Sequence, residues 1–298
     1  MTALSEAIKS GRRIITGGLT APFGADPRRI KGVAAALRGK VHAVVVEENV
    51  DGVHMSSIAA SLHVKGEGVE PVVTLLTRDM NRIGLQSAVL GAVSLGVNDF
   101  LVLSGHHQGL TTEKQARGVY DVDSIQAIRL FRAMREEGVF AGGQKMESPV
   151  PICIGGAANP FAGPIDLRAL RTEKKVRAGA DFIITEPVFD LARFREWLEL
   201  LREKGVPEKV CLIAGVMWLE SAGEAKRLNE KYRGMNIPDA VVERLSRASD
   251  SRREGLAIAV EMIDQVRTLD GVRGFHVWAR GREEAIPELL DAARITPS

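Results

Sequence analysis

Residues 71–105 read PVVTLLTRDMNRIGLQSAVLGAVSLGVNDFLVLSG. An apolar, β-branched run, Pro71–Thr77, is followed by a polar turn and a helical pattern, Arg82–Leu95. Gly96 ends that pattern, and a second apolar run, Asp99–Gly105, begins just after it. Both runs are apolar almost throughout, as expected of parallel strands covered on both faces. A glycine placed as Gly96 is takes the positive φ with which a helix ends, at little steric cost.

The same unit repeats in both directions. Further strand candidates are Ile14–Leu19, His42–Asn49, Pro151–Ala157, Asp181–Val188, Lys209–Val216 and Gly274–Ala279. Between strands lie helical patterns at Ile58–Val64, Ser124–Glu137, Leu167–Ala178, Leu191–Lys204 and Arg253–Leu269. An extra helix, Pro238–Ala248, fits before the eighth strand, and Glu283–Ala293 closes the series. The segments AGADFIIT and DGVRGFHV repeat the helix–glycine–strand punctuation at Gly179 and Gly271. Eight strands alternating with helices predict a (β/α)8 TIM barrel of the α/β class, one domain over residues 1–298. A doubly wound open sheet has the same alternation, but the count of eight and the lack of a dinucleotide fingerprint favour the barrel.

Composition narrows the function classes. The chain has 298 residues, 45% of them hydrophobic, enough for a large core. Its 40 basic and 38 acidic residues leave a net charge of +2, spread along helices, which argues against a nucleic-acid groove. The apolar runs fall short of the roughly 20 residues that span a membrane. Met1–Arg13 is polar and lacks the apolar stretch of a secretory signal, so the expected location is the cytoplasm. Cys153 and Cys211 each sit in an apolar run, which excludes a disulfide framework and a CxxC metal site.

In such barrels the loops after the strands build the functional face. The strand-end segments here are GGLTAPFGAD, EENVDGVHMSS, TRDMNR, SGHHQG, GGAANPFAG, TEPVFD, AGVMWLES and HVWARGRE. The longest polar loop, His106–Val119, follows the fourth strand, where a ligand would be held. IGGAANP suits either close approach of a flat ligand to the backbone or a tight rim. His106 and His107 are candidates for metal, proton or phosphate chemistry, or are simply solvated. Glu186, at a strand end, would face the mouth, accept hydrogen bonds from a heterocycle or act as acid or base; a rim salt bridge is the plainer role. Of Lys174 and Lys175, one would reach a phosphate and the other lie on a solvated face. Arg78, Asp79, Asn81 and Arg82 read as a network capping the next helix, and Met80, Trp197 and Met262 as core. No Ser-His-Asp set, P-loop or metal-ligand spacing emerges, and no metal is expected.

These segments resemble the methylenetetrahydrofolate reductase family in collinear order along nearly the whole chain. The matching stretches include VHMSSIAA, the quoted 71–105 segment, VYDVDSIQAI, GAANPFA, KKVRAGADFIITEPVFDLARF, NIPDAVVERL and EGLAIAVEMIDQVRTLDGVRGFHV. The resemblance implies a barrel holding FAD at its strand ends, reduced by NADH or NADPH, which passes hydride to methylenetetrahydrofolate. It places flavin contacts on Glu47, Thr74, Leu103, Ser104, Gly105, His106, Tyr120, Gly155, Asn159, Arg168 and Lys175. The folate pterin would be read at Glu186, with Trp278 close to the cofactor.

The chain also departs from the family. The glutamate that serves as general acid at the end of the first strand is Gly18 here. An aspartate after the fourth strand is His106, the pterin-binding glutamine is Glu186, and a common threonine is Glu47. The resemblance therefore implies either that Glu47, Glu186 or His106 carries the proton, His106 with an ordinary pKa of about 6.5, or that the barrel binds folate or flavin as a subunit of a methyl-transfer or electron-transfer assembly. A third outcome is a barrel turned to an unrelated small molecule. A homo-oligomer is compatible with all three.

Overall fold

The computed structural model describes residues 2–232 and 234–297; Met1, at the head of the polar N-terminal stretch, Arg233 and Ser298 lie outside them. Eight parallel strands close on one another in sequence order, the last pairing with the first. They are β1 (Ile14–Thr20), β2 (Ala43–Glu47), β3 (Pro71–Leu76), β4 (Asp99–Leu103), β5 (Cys153–Ala158), β6 (Phe182–Pro187), β7 (Cys211–Met217) and β8 (Val272–Trp278). The predicted TIM barrel is the observed fold.

Around it run α1 (Ala3–Lys9), α2 (Arg28–Leu37), α3 (Ser57–Gly66), α4 (Arg82–Ser94), α5 (Ser124–Glu136) and α6 (Ile165–Ala178). The ring continues with α7 (Leu191–Arg202), α8 (Ala222–Lys231), α9 (Asp239–Arg247), α10 (Ser251–Val266) and α11 (Ile286–Ala292). Three of these are absent from the sequence reading. α1 has seven residues and α8 buries Ala225 alone, whereas α2 carries a full apolar stripe, Ile30, Val33, Ala34 and Leu37, that the reading missed. Elsewhere the local chemistry acts as expected. Asn81 accepts hydrogen bonds from the Ile83 and Gly84 amides to start α4. Gly96, Gly179 and Gly271 take φ of 76°, 119° and 88° at the junctions where helices give way to strands. The predicted β2 and β4 run two residues too far at their C-terminal ends, where Glu48, Asn49, Ser104 and Gly105 have turned out of the ladder into the rim, while β1, β5 and β7 extend one residue beyond their predicted ends.

Successive strand side chains point to opposite faces, so alternate residues enter the barrel. The lower interior is filled by Ile14, Ala43, Val45, Val72, Leu101, Cys153, Phe182, Ile184, Cys211 and Ile213, closed from beneath by Leu4 and Ala7 of α1. Thr2 donates a 2.8 Å hydrogen bond from its hydroxyl to Asp99 at the start of β4, fixing α1 to the floor. The outward residues pack under the helices, with Phe131, Phe194 and Trp197 among the fully buried ones. Trp197 is core, as predicted, while Met80 and Met262 pack half-buried against the cluster. Among the described residues no helix is long and apolar enough to cross a membrane.

One irregularity shapes the upper barrel. The register between β6 and β7 shifts between Ile184 and Pro187. A Cβ on Gly215 would lie 2.4 Å from the Thr185 carbonyl oxygen and 2.8 Å from the Glu186 carbonyl carbon. The Gly215 amide donates to Thr185 Oγ1 at 3.0 Å. A bare backbone on β7 is therefore what lets β6 bulge and present Glu186 to the mouth. Gly215→Ala is expected to lower stability by about 1–3 kcal/mol through overpacking against backbone. Urea denaturation checks this, and an unchanged midpoint and slope would show that the bulge does not depend on the missing side chain.

Candidate functional site

At the C-terminal ends of the strands lies a cavity of about 360 Å³. Glu47, Thr74, Leu103, Ser104, Gly105 and His106 line one half, and Asn159, Arg168, Lys175, Glu186 and Trp278 the other. A second cavity of about 750 Å³ continues it outward, sharing His106, Asn159, Arg168, Glu186 and Arg280. Eleven of the residues singled out in the sequence thus meet in one space. Two do not. Gly155 lies below the mouth with the Phe182 ring filling the space over it, so a Cβ there would sit 2.2 Å from Phe182 Cζ. Tyr120 is 45% exposed and lies outside the cavity lining, its amide bonded to the Thr77 carbonyl at 3.1 Å.

The adjacent carboxylates Glu47 and Glu48 separate by strand alternation. Glu47 faces the mouth, where the Thr20 hydroxyl donates to it at 2.6 Å and Arg280 Nη2 stands 3.5 Å away. Glu48 is buried against α3 and accepts from the Ser57 amide at 2.7 Å. The histidine pair separates as well. His106 packs on Tyr232, ring centroids 4.8 Å apart, while His107 accepts from the Gly109 amide at 3.0 Å. No group of three potential metal ligands occurs among the described residues. The lysine pair resolves in the same way: Lys174 is exposed, and Lys175 turns inward and donates to the Ala157 carbonyl.

The Arg78 group is a network of two parts. Asn81 caps α4, as expected, and Arg82 pairs with Asp121 at 2.8 Å. Arg78 itself is buried and donates to the carbonyls of His106 and Asn49 at 3.1 and 2.8 Å, tying the β2 and β4 loops together at the rim. Arg280 escaped sequence reading. It sits in HVWARGRE directly after β8, and only the closed barrel brings it to Glu47 and over the Tyr232 ring, 5.3 Å from its centroid.

Burial sets the proton affinities. It pushes the Glu186 carboxyl up, nearby Glu47 adds to the shift, and Arg280 offsets part of it. It pushes His106 down, and the Arg280 and Arg78 charges push the same way. His106 is therefore neutral at physiological pH, with less of it protonated than its ordinary value would give. Lys175 is lowered to about 8 by burial, with Arg171 contributing. Four buried atoms around the cavity have no hydrogen-bond partner: Thr74 Oγ1, Arg168 Nε, His276 Nε2 and Arg280 Nε. Buried polar groups are seldom left unpaired, so this wall is built for a ligand rich in acceptors.

At Gly18, where the resemblance sets the family's acid, the Trp278 indole fills the space. A Cβ on Gly18 would lie 2.6 Å from Trp278 Cδ1 and 3.2 Å from its Nε1. The indole of Trp278 occupies the room that a longer residue at position 18 would need.

Fold and site together define a (β/α)8 barrel with a polar, partly cationic ligand site at its mouth. The sequence profile of the methylenetetrahydrofolate reductase family matches residues 6–294, and the chain belongs to that family. A probable methylenetetrahydrofolate reductase (NADPH) of Caenorhabditis elegans is 24% identical over 253 residues, covering 81% of this chain and 35% of the relative. Methylenetetrahydrofolate reductase 1 of Schizosaccharomyces pombe is 26% identical over 147 residues, covering 47% of this chain and 24% of the relative. The matches thus cover about a third or less of these relatives' own length. An uncharacterized Clostridium thermocellum protein, described as binding two copies of 5-methyl-5,6,7,8-tetrahydrofolic acid, shares the fold. Its TM-score is 0.70 at 13% identity, with 98% of each chain covered.

Because Glu186 holds its proton more tightly when folded than when unfolded, the folded state loses stability as pH rises through the folded value. Glu186→Gln removes that loss. The variant is expected to gain on the wild type between about pH 4 and pH 8. Urea midpoints at both ends of the range test this, and a constant difference would place Glu186 in contact with water.

Proposed function

We propose that this chain is a flavin-dependent reductase, one barrel domain acting in the cytoplasm, that converts 5,10-methylenetetrahydrofolate to 5-methyltetrahydrofolate with electrons from NADH, NADPH or a partner protein. The observation that carries the reading is the pairing, in one cavity of a family barrel, of a desolvated carboxyl at Glu186 with unmatched donors at Thr74, Arg168 and Arg280.

The residues present fit FAD. Arg168, Arg171 and Lys175 are three and four residues apart on α6, so they share one face, and all three line the cavity. They would hold the diphosphate. Thr74 and the backbone of Leu103, Ser104 and Gly105 would border the isoalloxazine ring, and Asn159 the linking chain. When bound, the flavin supplies the hydride.

The protein's own part is the proton. Opening the folate's five-membered ring breaks the bond between the methylene carbon and N10, and N10 must take a proton as the bond breaks. Glu186 is the donor best suited, since burial keeps it protonated further toward neutrality. Glu47 is engaged by Thr20 and Arg280. It holds the guanidinium in place to bind a carboxylate of the substrate. His106, neutral, offers a hydrogen bond to the ligand rather than a proton.

A second reading has its own support. Position 18 is a glycine with the Trp278 indole resting over it in place of an acid, which favours a barrel that binds a folate already open at N10, as a subunit of a methyl-transfer or electron-transfer assembly.

Visible absorption with added FAD separates the two. The reductase shows a bound flavin spectrum that bleaches with NADH or NADPH and recovers with methylenetetrahydrofolate. Glu186→Gln then lowers turnover about 100-fold or more, and Gly18→Glu gives no gain. A chain that stays colourless yet binds 5-methyltetrahydrofolate would replace the first reading with the second.

A further inference from the structure

One unpaired atom at the mouth has no part in the chemistry above. His276 is fully buried, yet it borders the cavity and its Nε2 has no hydrogen-bond partner. The register of β1 and β8 sets His276 directly opposite Thr16, and its Nδ1 lies 2.8 Å from the Thr16 hydroxyl oxygen. Thr16 is itself buried, and of the two directions this contact allows, the one taken here has the hydroxyl donating to Nδ1. A neutral imidazole that accepts at Nδ1 carries its hydrogen on Nε2. Burial, reinforced by Arg280, lowers the ring to about 3 and so keeps it neutral.

Two residues further along each strand, one layer nearer the mouth, Gly18 faces Trp278. A Cβ at position 18 would be 3.3 Å from His276 Nε2, so a side chain there would cover that atom. With glycine in place, the cover is the indole of Trp278, edge-on to the imidazole with ring centroids 4.7 Å apart. Trp278 is itself partly exposed at the mouth. When it turns outward, the absent side chain leaves a small polar recess with a donor at its base.

We propose that Thr16, Gly18 and His276 form a hydrogen-bonding niche for the inward edge of a planar heteroaromatic ligand, with Trp278 as its movable cover and His276 Nε2–H donating to a ring nitrogen or carbonyl oxygen. The niche needs an acceptor, because an unpaired donor in a dry wall is costly until one arrives. It selects against a protonated ring nitrogen, which has no lone pair to offer. The ligand's identity as a flavin or folate rests on the function proposed above; its class rests on the niche.

The test is the ring ¹⁵N–¹H spectrum of His276 in the full chain, with FAD and 5-methyltetrahydrofolate added separately as probes. The expected result is an Nε2–H tautomer that does not titrate from about pH 5 to 8 and whose resonance shifts when one probe saturates the site. Trp278 emission should change in step, since Trp197 and Trp218 are buried. His276→Phe should weaken that probe about tenfold, and Thr16→Val, which frees the tautomer, should weaken it less. An Nδ1–H tautomer, or a resonance unmoved by a bound probe, would overturn the niche; both are read on the wild-type chain, so a poorly folding variant does not blur the result. If neither probe binds, the proposed function fails. The niche is then decided by a panel of planar heteroaromatic fragments, supported by one that moves the His276 signal and overturned by none.

Discussion

Closure of eight parallel strands is the constraint on which the rest of the molecule depends. Once β8 pairs with β1, every strand has two neighbours and every second side chain must enter the barrel. The interior is then a stack of layers whose upper one is the site. This is why neighbours in sequence part company: Glu47 enters the mouth and Glu48 leaves it for the start of α3. The same rule sets Thr16 against His276 and, a layer higher, Gly18 against Trp278. Small residues do as much as large ones here. Gly215 admits the β6 bulge, Gly155 the Phe182 ring and Gly18 the indole. Each is a place where the barrel's limited interior is shared by removing a side chain from one strand to make room for another.

Charge at the mouth follows from the same crowding. Arg280 stands 3.5 Å from Glu47 and opposes the upward shift of Glu186, so one cation is divided between two carboxylates. Glu47, tied to Thr20 and the guanidinium, has its oxygens engaged, whereas no side-chain partner within hydrogen-bonding distance is seen for Glu186 among the described residues. Two acids in one cavity differ by environment: Glu47 pairs with a cation, and burial makes Glu186 bind its proton more tightly than usual. His106 lies under the same cations and is pushed toward neutrality. Glu47, His106 and Glu186 are therefore coupled through the cations at the mouth.

Much of this was legible in the chain, because strand and helix periodicity are local. The eight strands, the glycine stops and the capping residue Asn81 are fixed by neighbours a few positions away. Eleven of the expected residues line one cavity at the mouth because strand ends converge there. What was missed is nonlocal. Arg280 matters only after β8 returns to β1, and the Thr16–His276 bond joins residues at opposite ends of the chain. Gly155 looked like a ligand contact because a strand glycine invites close approach, but the approaching group is Phe182. α8, with one buried residue, has no stripe to read. Its importance comes from Tyr232 just beyond it, which packs on His106 and Arg280.

Glycine at position 18 has a geometric consequence for a ligand at this mouth. β1 and β6 are separated around the ring by β7 and β8, so Glu186 meets a ligand from another side of the mouth than a residue at the end of β1 would. A ligand that received a proton from β1 would have to rotate about the barrel axis to receive it from β6. The wall it left would then present Trp278 in place of a carboxyl, and a flat apolar ring favours stacking where a charged group favoured hydrogen bonding. On β6 the incoming edge would meet Glu186 beside Arg280, a pair able to bind an amine and a carboxylate side by side. Substituting the acid alone would leave a substrate facing the wrong way. The glycine and the indole filling its space go together, so a side chain added at Gly18 meets Trp278 first.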